Sequence, residues 1–275
     1  MDLHPWNDTF EWRMPAGPYR RITAQQAQSY DERGFFLLED AFDPQKVASM
    51  IAEIDPWEQK VTGFLRKQAG GKLFIAQADA ITFATHLVTR SAALRELCRG
   101  AVFQDLGHDL IGPDVRLYWD QAVYKKPAPI RVFPWHQDNG YTFVLPQQYL
   151  TCWIALTDAT LENGCPWVVP GVHRRGTLAH WMTEVGWQCL VEPEGAEPVP
   201  ARAGSIVVFS SLTPHCTGPN RTQAVRKAYI VQLAPEGAVA LGPAPAGAEG
   251  SALVRTPQDA PDRQCPVLTG GSAAG

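Results

Sequence analysis

Two histidines, one aspartate and one arginine carry most of the chemistry legible in this chain. His136 and Asp138 sit one residue apart in the run Pro134-Trp-His-Gln-Asp138, His215 follows a proline far downstream, and Arg226 comes shortly after it. In an extended segment side chains alternate, so positions i and i+2 point the same way and can grip one metal ion together. His215 would then arrive from a distant strand as the third ligand. Two imidazoles and a carboxylate on one face are the ligand set of non-haem Fe(II), which leaves positions open to a cosubstrate and oxygen. Alternation should turn Cys216 away from such a site. His4, His86, His108 and His180 have no partners at metal-binding spacing, and His173, in the turn Pro170-Gly-Val-His173, is expected to face solvent.

Arg226 opens the strand Arg226-Lys-Ala-Tyr-Ile-Val-Gln-Leu233. Alternation sets Arg226, Ala228, Ile230 and Gln232 on one face and Lys227, Tyr229, Val231 and Leu233 on the other. An arginine on an inward face beside small and apolar residues is costly unless an anion meets it. A carboxylate matches the planar fork of the guanidinium. Taken singly, the His-Asp pair reads as a surface histidine beside a carboxylate, and Arg226 as an ordinary ion pair. The full set in this order, with Trp135 and Tyr141 bracketing the pair, favours a metal site.

The elements that must position these residues are legible in outline. Residues 1–22 lack periodicity and read as an irregular arm. Thr23 is a fitting N-cap for a helix over Ala24–Arg33, with Gln26 completing a capping box and Gly34 ending it. Phe35–Leu38 reads as a short strand, and Asp43-Pro44 opens a second helix through Val47, Met50, Ile51 and Ile54. Ser91–Leu110 reads as one further helix. Strands are then expected at Val115–Tyr124, Tyr149–Thr157, Trp167–Val169, Ser205–Phe209 and Lys227–Leu233, separated by turn clusters. Helices first and short antiparallel strands afterwards predict a mainly β fold with flanking helices, of the jelly-roll or cupin type. From Glu236 the composition turns to Ala, Gly, Pro and Ser, which predicts a mobile tail over 236–275.

The chain has 275 residues, enough for a large core, and 45% of them are hydrophobic. A net charge of −4 with scattered basic residues argues against nucleic-acid binding. Uncharged stretches are too short or too broken by Pro and Gly to span a membrane, and no secretory signal is visible. Six cysteines without C-x-x-C spacing read as buried thiols, so a cytoplasmic enzyme is expected.

Several stretches together resemble the phytanoyl-CoA dioxygenase family of Fe(II)/2-oxoglutarate oxygenases. They are Tyr30-Asp-Glu-Arg-Gly-Phe-Phe-Leu-Leu38, Pro134-Trp-His-Gln-Asp138, Leu161-Glu-Asn-Gly-Cys-Pro-Trp-Val-Val-Pro-Gly-Val-His173, and His215-Cys-Thr-Gly-Pro-Asn-Arg-Thr222 running into Arg226-Lys-Ala228. The resemblance spans about residues 23–234 and implies a double-stranded β-helix. It implies His136, Asp138 and His215 as iron ligands, with Arg226 and Thr217 on the far carboxylate of 2-oxoglutarate. Trp153 and Gln121 match positions that line the cosubstrate pocket, and Tyr118 and Tyr141 could line it too. The implied reaction consumes 2-oxoglutarate and O2 and hydroxylates a small molecule; related halogenases lack the carboxylate that Asp138 supplies here. Two other readings remain open: a cupin-type metal enzyme that does not use 2-oxoglutarate, and a non-catalytic β-helix that binds a ligand. Residues 174–203 do not align with the family and, with residues 60–82, are expected to shape substrate choice. The sequence specifies no oligomeric state.

Overall fold

The computed structural model describes residues 1–128, 132–243 and 253–274. Its first helix runs Ala24–Arg33, with Thr23 accepting from Gln26 N, the reciprocal capping-box bond, and Gly34 in the left-handed region at φ 85°. A Cβ at Gly34 would also lie 2.5 Å from the His173 ring, so glycine is required twice over. Helix Pro44–Leu65 starts at the Asp43 cap and buries Val47, Met50, Ile54 and Leu65. The single helix expected over Ser91–Leu110 is two, Ala92–Cys98 and Ala101–Leu110. Gly100 has an extended backbone there and serves as the N-cap of the second helix, which allows the chain to turn.

The architecture is an antiparallel β sandwich with helices against one side, as expected. The larger sheet orders its strands Phe35–Leu38, Ile206–Ser210, Leu150–Ala155, Arg226–Pro235, Val115–Lys125, Ile81–Thr85, Ala76–Gln77 and Lys72–Leu73. The smaller sheet orders Glu197–Pro198, Pro166–Val168, His215–Thr217 and Phe133–His136. The strand Arg226–Pro235 divides its side chains between two cores. Tyr229, Val231 and Leu233 pack with Met50, Ile54, Phe103 and Leu106 of the helices. Ala228 and Ile230 instead join Phe35, Trp153, Val168 and Phe209 between the sheets. This is the alternation expected from the sequence, resolved into an outer and an inner core.

The stretch beyond Glu236 is not a loose tail where it is described. Val239–Gly242 pairs with Phe143–Leu145 and with Val254–Pro257, and Pro266–Thr269 pairs with Val115–Lys125. Val267 and Leu268 are fully buried, and Cys265 O accepts from Leu117 N. Its composition misleads because a few apolar residues suffice to dock a short edge strand on an existing sheet. The remainder of that expectation, residues 244–252 and 275, lies outside the described residues. Residues 1–22 contain no helix or strand beyond the bridge Leu3↔Leu178, yet Asn7 is buried and its amide donates to Arg175 O and Thr177 O. All six cysteines are free and buried. Among the described residues no helix is long and apolar enough to cross a membrane.

Candidate active site

Pairing between two strands of the smaller sheet sets His215 directly opposite His136. Opposed residues of an antiparallel pair project from the same face a few ångströms apart. The two imidazole centroids are accordingly 4.1 Å apart. Gln137 is extended, so Asp138 returns to the face of His136 at the start of the short 3-10 turn Asp138–Gly140. Asp138 Oδ1 lies 3.9 Å from His136 Nε2 and 3.8 Å from His215 Nε2. The three ligand atoms all fall within 4.8 Å of one another.

Outer contacts orient each of the three. His136 Nδ1 donates to Pro134 O at 2.8 Å and His215 Nδ1 to Thr213 O at 3.0 Å, which leaves both Nε2 lone pairs facing the shared point. Burial, reinforced by His215, holds the His136 pKa well below its ordinary value, so the ring is neutral and able to coordinate. Thr151 donates to Asp138 Oδ2 at 2.6 Å, and Oδ1 faces the same point as the two Nε2 atoms. Gln137 points the opposite way: its amide donates to Gly176 O and Leu212 O and accepts from Leu178 N. His180 Nε2 accepts from Gln137 N at 2.9 Å, while its Nδ1 donates to Leu178 O. The histidine dismissed for want of spacing therefore anchors the backbone between two members of the triad. His173 differs from expectation in another way. It is fully buried, donates through Nε2 to Asp31 O, and stays apart from the triad. The helix Ala24–Arg33 and the Trp12 ring, 4.3 Å away, cover the turn that carries it.

The triad lines a cavity of about 540 Å³ that also takes in Arg226, Thr217, Gln121, Trp153, Tyr118 and Tyr141. All nine residues that the sequence offered for the site and its lining therefore meet in one space. Arg226 is 1% exposed, and its Nε and Nη2 are buried without a hydrogen-bond partner among the described residues. Among the described residues its guanidinium makes one long bond, Nη1 to Val123 O at 3.5 Å, and its guanidinium carbon stands 5.1 Å from the Trp153 ring centroid. Burial lowers its pKa to about 10, which still leaves it charged at neutral pH. Lys125 Nζ donates to Thr217 Oγ1 at 3.0 Å, which leaves the hydroxyl proton available to another acceptor. Cys216 faces away as alternation requires, and burial pushes its pKa up to about 12.

Reasoning on the sequence missed Thr151, His180 and Lys125. Thr151 follows from nothing local, because only sheet pairing brings it to Asp138. Residues 60–82 and 174–203 do reach the cavity, through Leu73, Phe74, Ile75, Ala76 and Ile81 on one side and Trp187 on the other.

Comparison with known proteins gives the family. The family model described as phytanoyl-CoA dioxygenase (PhyH) matches residues 30–228. A methylphosphonate hydroxylase of Gimesia maris is 28% identical over 75% of this chain and 78% of its own. An ectoine dioxygenase of Bordetella parapertussis is 27% identical over 72% of this chain and 71% of its own. Among solved structures, the epimerase SnoN in complex with Fe3+, alpha ketoglutarate and nogalamycin RO superposes with a TM-score of 0.66 at 19% identity, covering 85% of this chain and 94% of that one. This chain belongs to the phytanoyl-CoA dioxygenase family and has its double-stranded β-helix fold. It is an Fe(II)/2-oxoglutarate-dependent dioxygenase.

Proposed function

We propose that this dioxygenase hydroxylates an unactivated C–H bond of a small organic molecule, consuming 2-oxoglutarate and O2 and releasing succinate and CO2. The observation that carries this reading is the Arg226 guanidinium, buried with two nitrogens unpaired among the described residues, in the same cavity as three converging metal-type ligands. A buried cation without a counter-charge is unfavourable unless its ligand is an anion. A dicarboxylate fits, since one end can meet a metal and the other the fork.

His136, Asp138 and His215 would hold the iron, which when bound supplies the oxidising chemistry on O2 and 2-oxoglutarate. The protein supplies position. Arg226 and the Thr217 hydroxyl hold the far carboxylate, and Lys125 fixes that hydroxyl from behind. Trp153 supports the guanidinium, and Gln121 lines the same wall. Pro134 O and Thr213 O hold the imidazoles in one tautomer, and Thr151 fixes the carboxylate. The cupin-type reading without 2-oxoglutarate has no use for Arg226 inside the cavity. The six free cysteines fit a reducing compartment such as the cytoplasm.

The test is anaerobic addition of ferrous iron and then 2-oxoglutarate, watching for the weak visible band of the chelate, followed by succinate assay on admitting air with candidate substrates. Asp138→Ala and His215→Ala should each abolish substrate-dependent succinate. Full turnover in either variant refutes the assignment.

A further inference from the structure

The cavity wall beyond the triad and Arg226 is uncharged among the described residues. Among the described residues lining it, the only formally charged side chains are Asp138 and Arg226. On the reading above, one is committed to the metal and the other to the cosubstrate. The rest of the wall is aromatic and aliphatic, with Phe83, Trp119, Phe133 and Trp187 among it, and its polar members are neutral hydroxyls and amides such as Tyr118 and Gln121. An ionised phosphonate, carboxylate or ammonium placed here would lose hydration without meeting an uncommitted counter-charge among the described residues, which is unfavourable. The wall thus differs in kind from what methylphosphonate or a zwitterion demands.

A second observation concerns the rim. The strands Lys72–Leu73 and Ala76–Gln77 form a hairpin with Phe74 and Ile75 as its two turn residues. Phe74 has φ 51°, in the left-handed region where such turns ordinarily carry Gly or Asn. A bulky side chain is strained there. Phe74 is also 54% exposed, belongs to no core cluster, and lines the cavity beside the 52%-exposed Leu73. Neither turn propensity nor core packing accounts for a phenylalanine at this position. Contact with something apolar in the cavity does. The facing hairpin, Trp181–Thr183 with Gly186–Gln188, is tied to this one by Lys72 Nζ donating to Glu184 O at 3.0 Å, and it brings Trp187 to the cavity.

We propose that the substrate is an uncharged, ring-bearing molecule held between the Phe74 hairpin and the Trp187 hairpin, with Phe74 as a specificity-determining contact. This rests on the dioxygenase reading for the commitment of Asp138 and Arg226. The test uses three probes of one shape: naphthylmethanol, naphthoate and naphthylmethylammonium. Each is titrated calorimetrically into protein saturated with Fe(II) and 2-oxoglutarate, with air excluded so that no turnover occurs. The alcohol should bind about tenfold or more tighter than either ion. Phe74→Gly removes the ring while suiting the turn, so it should weaken the alcohol about fivefold. Its thermal midpoint should not fall below that of wild type. An ion that binds as tightly as the alcohol, failure of all three to bind, or an unchanged affinity in Phe74→Gly overturns the proposal. A lowered midpoint in Phe74→Gly also overturns the role given to Phe74. Titration of 2-oxoglutarate before the probes tests the dioxygenase reading separately. If that step is blank while the alcohol still outbinds the ammonium and depends on Phe74, the enzyme reading fails and the cavity assignment stands.

Discussion

The Thr151 hydroxyl donates to Asp138 Oδ2 across 2.6 Å, so a residue of the larger sheet sets the orientation of a carboxylate at the smaller one. Replacing Thr151 with valine keeps the shape and removes the donor. Loss of such outer contacts typically costs about 10–100-fold in metal affinity. Anaerobic competition titration of Fe(II) measures it, and a variant that binds iron as tightly as wild type would show that Thr151 is only packing.

Gly140 and His180 are the second test of the site's support. A Cβ at Gly140 would lie 2.0, 2.2 and 2.3 Å from three atoms of the His180 ring. Gly140→Ala must therefore displace the ring and strip Gln137 N of its acceptor, at a cost of about 1–3 kcal/mol for the unsatisfied group alone. His180→Ala loses the same bond without the clash. The double variant should be less destabilised than the sum of the two single variants, since the second change removes what the first collides with. Urea unfolding of the four proteins decides; additive effects count against the His180 anchor.

Arg226 makes a prediction of opposite sign for apo and loaded protein. Arg226→Met removes a buried charge that has no counter-ion among the described residues, so the ligand-free protein should be as stable as wild type or more stable. With metal present, 2-oxoglutarate should raise the thermal midpoint of wild type by binding only the folded state. The methionine variant should lose that rise. A variant that is destabilised without ligand, or still shifted by 2-oxoglutarate, contradicts the role given to the guanidinium.

His173 sets a pH dependence. Burial, the largest cause, lowers its pKa from 6.5 to about 4 in the fold. Between those values the unfolded chain binds a proton that the folded chain does not, so stability from this group rises with pH. It is complete above pH 6.5 and is lost as pH falls toward about 4. His173→Gln removes the titration. Its deficit against wild type should shrink as pH falls through the window, as read by urea unfolding at both ends. A constant deficit would mean that His173 does not titrate this way.

Much of the fold was legible because its signals are local. The Thr23–Gln26 box and Gly34 bound one helix to the residue, and the two-residue period after Arg226 separated outer core from inner. What was misread depended on packing. The break at Gly100 sits inside a stretch whose apolar stripe continues across it. The burial of His173 depends on a helix and on Trp12, both distant in sequence, closing over its turn. Val267 and Leu268 are too few to announce a strand until Val115–Lys125 offers an edge.

The sequence by itself determined which side chains could bind a metal and a dicarboxylate, because ligand chemistry belongs to residue type and the i, i+2 spacing belongs to the extended chain. Only the tertiary structure decided that His215 pairs opposite His136, that Arg226 lies buried without a counter-ion among the described residues, and that Thr151 and His180 hold the triad in place. Those relations arise from strand register and burial, which are properties of segments brought together and have no trace in any one of them.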